Sequence, residues 1–180
     1  ASDLIAQAEH DFLAQSILIT NNINLIKLVN LKLSTQLKNL PKKKIASKSL
    51  KNYGLAIYAK SESKIIEIVN TIAPEHLEIQ FKRYEKIINK IKNAGSIFIG
   101  AFSPEAMGDY IAGPNHVLPT SGSARFSSGL SVNDFLKRHS LIKITKSGIE
   151  RLGPSVINLA VHENLVGHAN SVKIRLKRKY

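Results

Sequence analysis

Short β-branched or aromatic apolar runs alternate, over the first hundred residues, with longer segments whose apolar positions recur at helical spacing. The spacing predicts a helix capped by Asn22, a second helix from Ser61 to a stop at Pro74, and a third over residues 84–91 before Gly95. Strands are predicted at residues 16–20, 54–58, 77–80 and 96–100. This alternation predicts the α/β class, with a mostly parallel sheet flanked by helices in an incomplete Rossmann-like arrangement.

The pattern changes at Pro104. A helix start there is followed, as far as Thr120, by a stretch rich in Gly, Pro, Asn and His, which is typical of a functional loop. Beyond it we predict one more strand at residues 141–145 and helices that open at Ser147 or Pro154. We therefore expect an α/β domain over residues 1–125 that carries most of the site, and a small, mainly helical appendage over residues 126–180.

The apolar stripe of this appendage must be covered, either by its own sheet domain or by a second subunit. Apolar residues form 43% of the 180-residue chain, which is enough to bury a sizeable core. There is no apolar run near the roughly 20 residues that span a bilayer, and the first residues carry acids where a signal peptide would carry bases. We expect a soluble, cytoplasmic protein that needs no membrane.

The formal charge of +13 raises the possibility of a nucleic-acid partner. The lysines are spread along the chain, cluster only at residues 42–44 and 173–179, and lack interleaved aromatic residues. The pattern therefore favours solvated lysines over a nucleic-acid interface. A basic nucleic-acid-binding or structural module stays open as an alternative.

Because the chain has no cysteine, any bound metal must take nitrogen or oxygen ligands. Gln7 and His10 are three residues apart, so a helix turn would project both side chains from one face. Two ligands of one metal ion require this arrangement, but a solvated helix face has the same spacing. Asp109 follows Gly108 after a short helix, which suits a hard oxygen ligand and equally suits a turn.

Glu75 and His76 follow Pro74, between a predicted helix and a predicted strand, and therefore lie at the edge of the sheet. An adjacent carboxylate and imidazole can share proton transfers near neutral pH. A capping Glu beside a surface His is the structural alternative.

A long stretch after Ser103 spans residues 104–138 and reads PEAMGDYIAGPNHVLPTSGSARFSSGLSVNDFLKR. It closely resembles the signature region of the histidinol dehydrogenase family. Three further segments resemble the family in the same order and at the right separations, namely SDLIAQAEHD, APEHLEIQ and VHENLVGHANSV. The resemblance covers essentially all 180 residues but begins well inside the family's chain, so we expect a fragment that lacks the N-terminal part.

The resemblance implies one zinc ion per subunit, held by Gln7, His10, Asp109 and His168. It implies that the acid/base pair is Glu75 and His76. The residues that it implies contact the substrate are Gln7, His10, His76, Asp109, His116, Glu163 and His168. Glu163 suits a cationic amine, and a helix-surface Glu is its alternative.

The implied activity is the oxidation of L-histidinol to L-histidine through histidinal, in two steps linked to NAD. The resemblance also implies a homodimer in which Glu163 and His168 complete the partner's site. The family's NAD-binding residues lie mainly upstream, this chain has no G-x-G-x-x-G loop, and one substrate-contacting Ser is missing. We therefore expect the fragment alone to be inactive, and a decayed copy without activity is a further alternative.

Overall fold

A computed structural model of the chain describes residues 1–177. These residues form two compact units, Ala1–Phe135 and a second unit that begins at Leu136. The helices are α1 (Ser2–Ala8), α2 (Ile23–Gln36), α3 (Lys43–Tyr53), α4 (Glu62–Ile72), α5 (Glu85–Ile88), α6 (Glu105–Tyr110), α7 (Lys146–His162) and α8 (Val166–Lys177). The strands are β1 (Ile17–Thr20), β2 (Leu55–Tyr58), β3 (His76–Ile79) and β4 (Ser96–Ile99). Three short 3-10 helices, Leu37–Asn39, Ser123–Arg125 and Val132–Phe135, complete the order.

The four strands form two parallel pairs. β1 pairs with β2, with Ile17 opposite Leu55, and β3 pairs with β4, with His76 opposite Ser96. Parallel neighbours need a crossover, which is supplied by α2 and α3 in the first pair and by α5 in the second. The predicted α/β class, with short parallel sheets flanked by helices and C-terminal helices beyond them, is confirmed.

Helix α4 packs beside both strand pairs. Its buried Ile65 and Val69 form a cluster with Ala59, against which Ile19 of β1 and Leu77 of β3 pack. Positions 65, 68 and 69 have the i, i+3, i+4 spacing of one helix face, so a single apolar stripe of α4 serves the core. This packing holds the end of α4 beside the start of β3.

The predicted helix caps are confirmed. The Asn22 side chain accepts a hydrogen bond from the Asn24 N–H at 3.0 Å, and the Ser61 hydroxyl accepts one from the Lys64 N–H at 3.2 Å. Each bond satisfies a backbone donor that the first turn of a helix leaves unpaired.

Some local predictions were wrong. Residues 141–145 form no strand, and all five are exposed. An apolar run forms a stable strand only where it can pair with the edge of a sheet. Pro154 lies inside α7, which begins after the cap Thr145. The third predicted helix shrinks to the single turn Glu85–Ile88, whereas the lysine-rich α3 was not predicted.

The C-terminal unit is a hairpin of α7 and α8. A Cβ added at Gly153 would lie 3.1 Å from Leu176 Cδ1 and 3.2 Å from Val172 Cγ1, so the missing side chain allows the two helices to approach closely. Leu152, Val156 and Leu159 are exposed on α7.

The domain limits 1–125 and 126–180 stay a prediction. None of the helices within residues 1–177 is long and apolar enough to cross a membrane.

Candidate functional site

A sharp turn between α4 and β3 positions Glu75 and His76. Ala73 ends α4 in the left-handed conformation, with φ 51°, and its N–H donates to the Val69 carbonyl at 2.9 Å. The Ser96 N–H then donates to the Glu75 carbonyl at 2.8 Å. A Cβ at Gly95 would lie 2.6 Å from that carbonyl oxygen, so this approach requires glycine. The turn fixes Glu75 and starts β3 at His76.

Helix α6 brings two carboxylates to the same place. Glu105 and Asp109 are four residues apart and therefore share one face of the helix. A Cβ at Gly108 would lie 2.6 Å from Phe98 Cε1, so the helix rests directly on this β4 ring. The ring centroids of Phe98 and His76 are 6.0 Å apart. The Phe98 ring therefore packs against α6 and lies near the imidazole.

The His76 imidazole lies beside both carboxylates but bonds to neither. Its Nε2 is 3.6 Å from Asp109 Oδ1 and 4.0 Å from Glu105 Oε1, and the side chain is 15% exposed. Within residues 1–177, both ring nitrogens are buried without a hydrogen-bond partner. Buried polar atoms in native proteins normally have a partner, so both nitrogens are available, among the described residues, to bond to a further group.

His10 completes a cluster with metal-binding geometry. One ligand atom each of His10, Glu105 and Asp109 lie within 4.8 Å of one another. His10 Nδ1 is 2.9 Å from the Ala6 carbonyl oxygen, an arrangement in which Nδ1–H donates and Nε2 keeps its lone pair for a metal. The Ser16 hydroxyl donates to the Leu4 carbonyl at 2.8 Å and ties α1, which precedes His10, to the chain entering β1.

These donors fit zinc chemically. Nitrogen and carboxylate oxygen both bind Zn²⁺ at about 2 Å, so two ligands of one ion lie on the order of 3–4 Å apart. The observed spacing of up to 4.8 Å needs only small side-chain movements to reach that range. A thiolate-free site is also what the cysteine-free composition requires.

The other predicted site residues lie as follows. Gln7 is half-buried near the end of α1, and its carbonyl accepts a hydrogen bond of 3.4 Å from the His10 N–H, so a turn at the end of the helix joins the two residues. His116 is exposed in the loop after α6. Glu163, at the C-terminal cap of α7, and His168, on α8, are exposed residues of the second compact unit.

Two carboxylates beside the site were not singled out from the sequence. Glu105, 7% exposed, belongs to the metal-binding cluster, and its spacing to Asp109 behind a predicted helix start could have identified it. Glu78 Oε1 accepts from the Glu105 N–H at 3.1 Å. Burial raises the pKa of both side chains; for Glu105 the neighbouring His76 opposes this rise, and for Glu78 the hydrogen bond from Glu105 does.

Burial of Glu105 predicts a pH-dependent stability. Its raised pKa means that ionisation costs folding free energy; the cost is absent below the ordinary value of 4.5 and complete once the pH exceeds the folded-state pKa. We expect metal-free Glu105→Gln to melt at a higher temperature than the native chain at pH 7, with the difference shrinking towards pH 4.5. Thermal melts with a chelator measure this. A Gln variant that is less stable at pH 7 would contradict the prediction.

Comparisons with known proteins agree on one family. The family model described as histidinol dehydrogenase matches residues 1–176. The chain is 59% identical over 179 residues to the histidinol dehydrogenase of Pelagibacter ubique and 50% identical over 177 residues to that of Clostridium acetobutylicum. It is also similar to the crystal structure of histidinol dehydrogenase from Elizabethkingia anophelis, with a TM-score of 0.92 and 41% identity over 98% of this chain.

These matches cover nearly all of this chain but only part of each relative. The aligned region is 42% of the Pelagibacter protein, 41% of the Clostridium protein and 40% of the Elizabethkingia chain. The chain thus spans about two-fifths of the length of the relatives that it matches. Since the family model covers 176 of its 180 residues, the chain belongs to the histidinol dehydrogenase family.

Proposed function

We propose that this chain supplies the zinc-binding and proton-transfer part of a cytoplasmic histidinol dehydrogenase, which oxidises L-histidinol to L-histidine with two molecules of NAD. The observation that carries the proposal is the buried, unpartnered His76 imidazole beside the His10, Glu105 and Asp109 cluster. An imidazole without a partner next to a metal-binding cluster suits a group that accepts a proton from a bound alcohol.

Gln7, His10 and Asp109 would hold one zinc ion together with His168 of a second subunit. Bound zinc is a Lewis acid that anchors and orients a substrate carrying an imidazole and an amine. Two local contacts support this set of ligands. A backbone hydrogen bond joins His10 to Gln7, and Asp109 Oδ1 lies 3.6 Å from Nε2 of the proton-accepting His76. Glu105 is a further carboxylate close enough to contribute to the site.

His76 would accept the alcohol proton at Nε2 while hydride passes to the first NAD, which gives histidinal. Two carboxylates within 4.0 Å of this nitrogen would stabilise the imidazolium that forms. Glu75, half-buried beside it, would take a proton from the water that adds to the aldehyde. After His76 releases its first proton to solvent, the hydrate anion would lose hydride to the second NAD and its remaining hydroxyl proton to His76, which leaves the carboxylate.

The C-terminal hairpin would complete the site of the partner in a homodimer. A partner would bury its exposed apolar residues Leu152, Val156 and Leu159. The same hairpin exposes Glu163 and His168, which the family resemblance assigns to the substrate and the zinc. His116 would contact the substrate from the loop after α6. NAD would be bound mainly by the part of the relatives that precedes this region. The alternative of a basic nucleic-acid-binding module rests on charge alone.

A chimaera tests the proposal. In it, this chain replaces the corresponding 42% of the Pelagibacter ubique protein, to which it is 59% identical. We expect the chimaera to form L-histidine from L-histidinol with two molecules of NADH per product, and to lose this activity when zinc is chelated. A folded, zinc-loaded chimaera that forms no histidine would overturn the proposed function.

A further inference from the structure

Helix α6 depends on tertiary contacts for its position. It has only six residues, and a helix of that length is not stable by itself in water. Its N-cap, Pro104, makes no side-chain capping bond. One contact that places the helix is Gly108 on the ring of Phe98, an apolar contact without the directionality of a hydrogen bond.

The directional contact comes from Glu78. Its Oε1 accepts a hydrogen bond of 3.1 Å from the N–H of Glu105, the first residue of α6. The carboxylate thereby satisfies one of the backbone donors that the start of the helix leaves free, across 27 residues of sequence. Glu78 thus replaces the missing local cap with a tether to β3.

This tether joins the two halves of the candidate site. Glu78 is two residues after His76 on β3, so both side chains leave the same face of the strand. At the other end, Glu105 and Asp109 share a face of α6. The hydrogen bond therefore fixes the distance at which Asp109 and Glu105 stand from the His76 imidazole.

We infer that Glu78 is a positioning residue, which holds α6 against β3 so that Asp109 and Glu105 meet His10 and His76 in metal-binding geometry. The inference rests on the proposed function in that it takes zinc to be the ion bound there. Among the described residues, Glu78 is not a member of the cluster of His10, Glu105 and Asp109 that has metal-binding geometry. It acts through the backbone of Glu105, so it needs an acceptor oxygen at this position and no negative charge.

The test compares Glu78→Gln, which keeps an acceptor oxygen, with Glu78→Ala, which removes it. Zinc affinity of the full 180-residue chain is measured by competition with a chromogenic chelator, and hydrogen exchange of the Glu105 amide is followed by NMR. Removing a group that supports a metal ligand costs roughly tenfold or more in affinity. We expect Glu78→Ala to bind zinc about tenfold more weakly and to exchange the Glu105 amide faster. Glu78→Gln should bind zinc about as tightly as the native chain, because it keeps the acceptor oxygen.

Glu67→Ala is the matched control, because Glu67 pairs with Lys64 on the surface of α4 and its side chain is 63% exposed. It should change neither readout. Glu78→Ala with native zinc affinity and native amide exchange would overturn the inference, as would Glu78→Gln that is as weak as Glu78→Ala. If the native chain binds no zinc, the zinc part of the proposed function fails instead. The exchange rate of the Glu105 amide still tests whether Glu105 donates a hydrogen bond to Glu78.

Discussion

Replacing His76 by Asn in the chimaera is expected to lower kcat for L-histidinol oxidation by about 10²–10⁴-fold, the usual contribution of a positioned general base. Asn approximates the size of the ring and keeps polar atoms in the buried site, but it cannot accept the alcohol proton. In the structure, Nε2 has no hydrogen-bond partner within residues 1–177 and lies within 4.0 Å of two carboxylates, so the substitution removes the ring nitrogen that would accept the proton.

The measurement is NADH formation at saturating substrate, with zinc content determined on the same samples. His139→Asn is the control, since His139 is an exposed histidine outside the proposed site. The control should keep its full rate, and His76→Asn should keep its zinc. A native rate in His76→Asn would contradict the proposed role of His76 in proton transfer.

The second large effect is on zinc itself. His10→Ala and Asp109→Ala should each weaken zinc binding by at least about 100-fold, more than the loss of a supporting residue, because each would remove a direct ligand. His10 stands on the turn after α1 and Asp109 on α6, so the two variants report on parts of the site that are far apart in sequence.

Competitive titration of the native chain and both variants gives the affinities, and circular dichroism confirms that the variants are folded. His139→Ala and Asp134→Ala serve as matched controls; Asp134 is exposed and accepts a local hydrogen bond from the Ser131 N–H at 2.7 Å. Equal zinc affinity in His10→Ala, Asp109→Ala and the controls would place the metal elsewhere.

The elements that carry strong local patterns could be predicted from the sequence. Asn22 and Ser61 are caps because their side chains bond to backbone groups two or three residues away, an interaction that needs no distant partner. The turn at Glu75 follows from a proline between a helix and a strand. The family resemblance was likewise visible in the sequence, and the match over residues 1–176 confirms it.

The geometry around His76 could not be predicted in the same way. The position of α6 depends on the fit of Gly108 against Phe98 and on the bond between Glu78 and the Glu105 N–H, which are tertiary contacts between separate elements. Periodicity does not register such contacts. The sequence therefore indicates Asp109 as a site residue, but not Glu78 or Glu105.

The missed and wrong elements have related causes. Helix α3 is rich in lysine and buries only Ala46 and Ser49, so its low overall hydrophobicity conceals a helix that packs on one face. Residues 141–145 have the composition of a strand, but strand formation depends on a partner edge that composition does not reveal.

Anomalous diffraction at the zinc edge, from crystals of the zinc-loaded chain, tests the central claim most directly. The account predicts one peak within about 2.0–2.2 Å of His10 Nε2 and a carboxylate oxygen of Asp109, beside the His76 ring. A zinc peak away from these two side chains, or none in crystals of protein that binds zinc in solution, would contradict it.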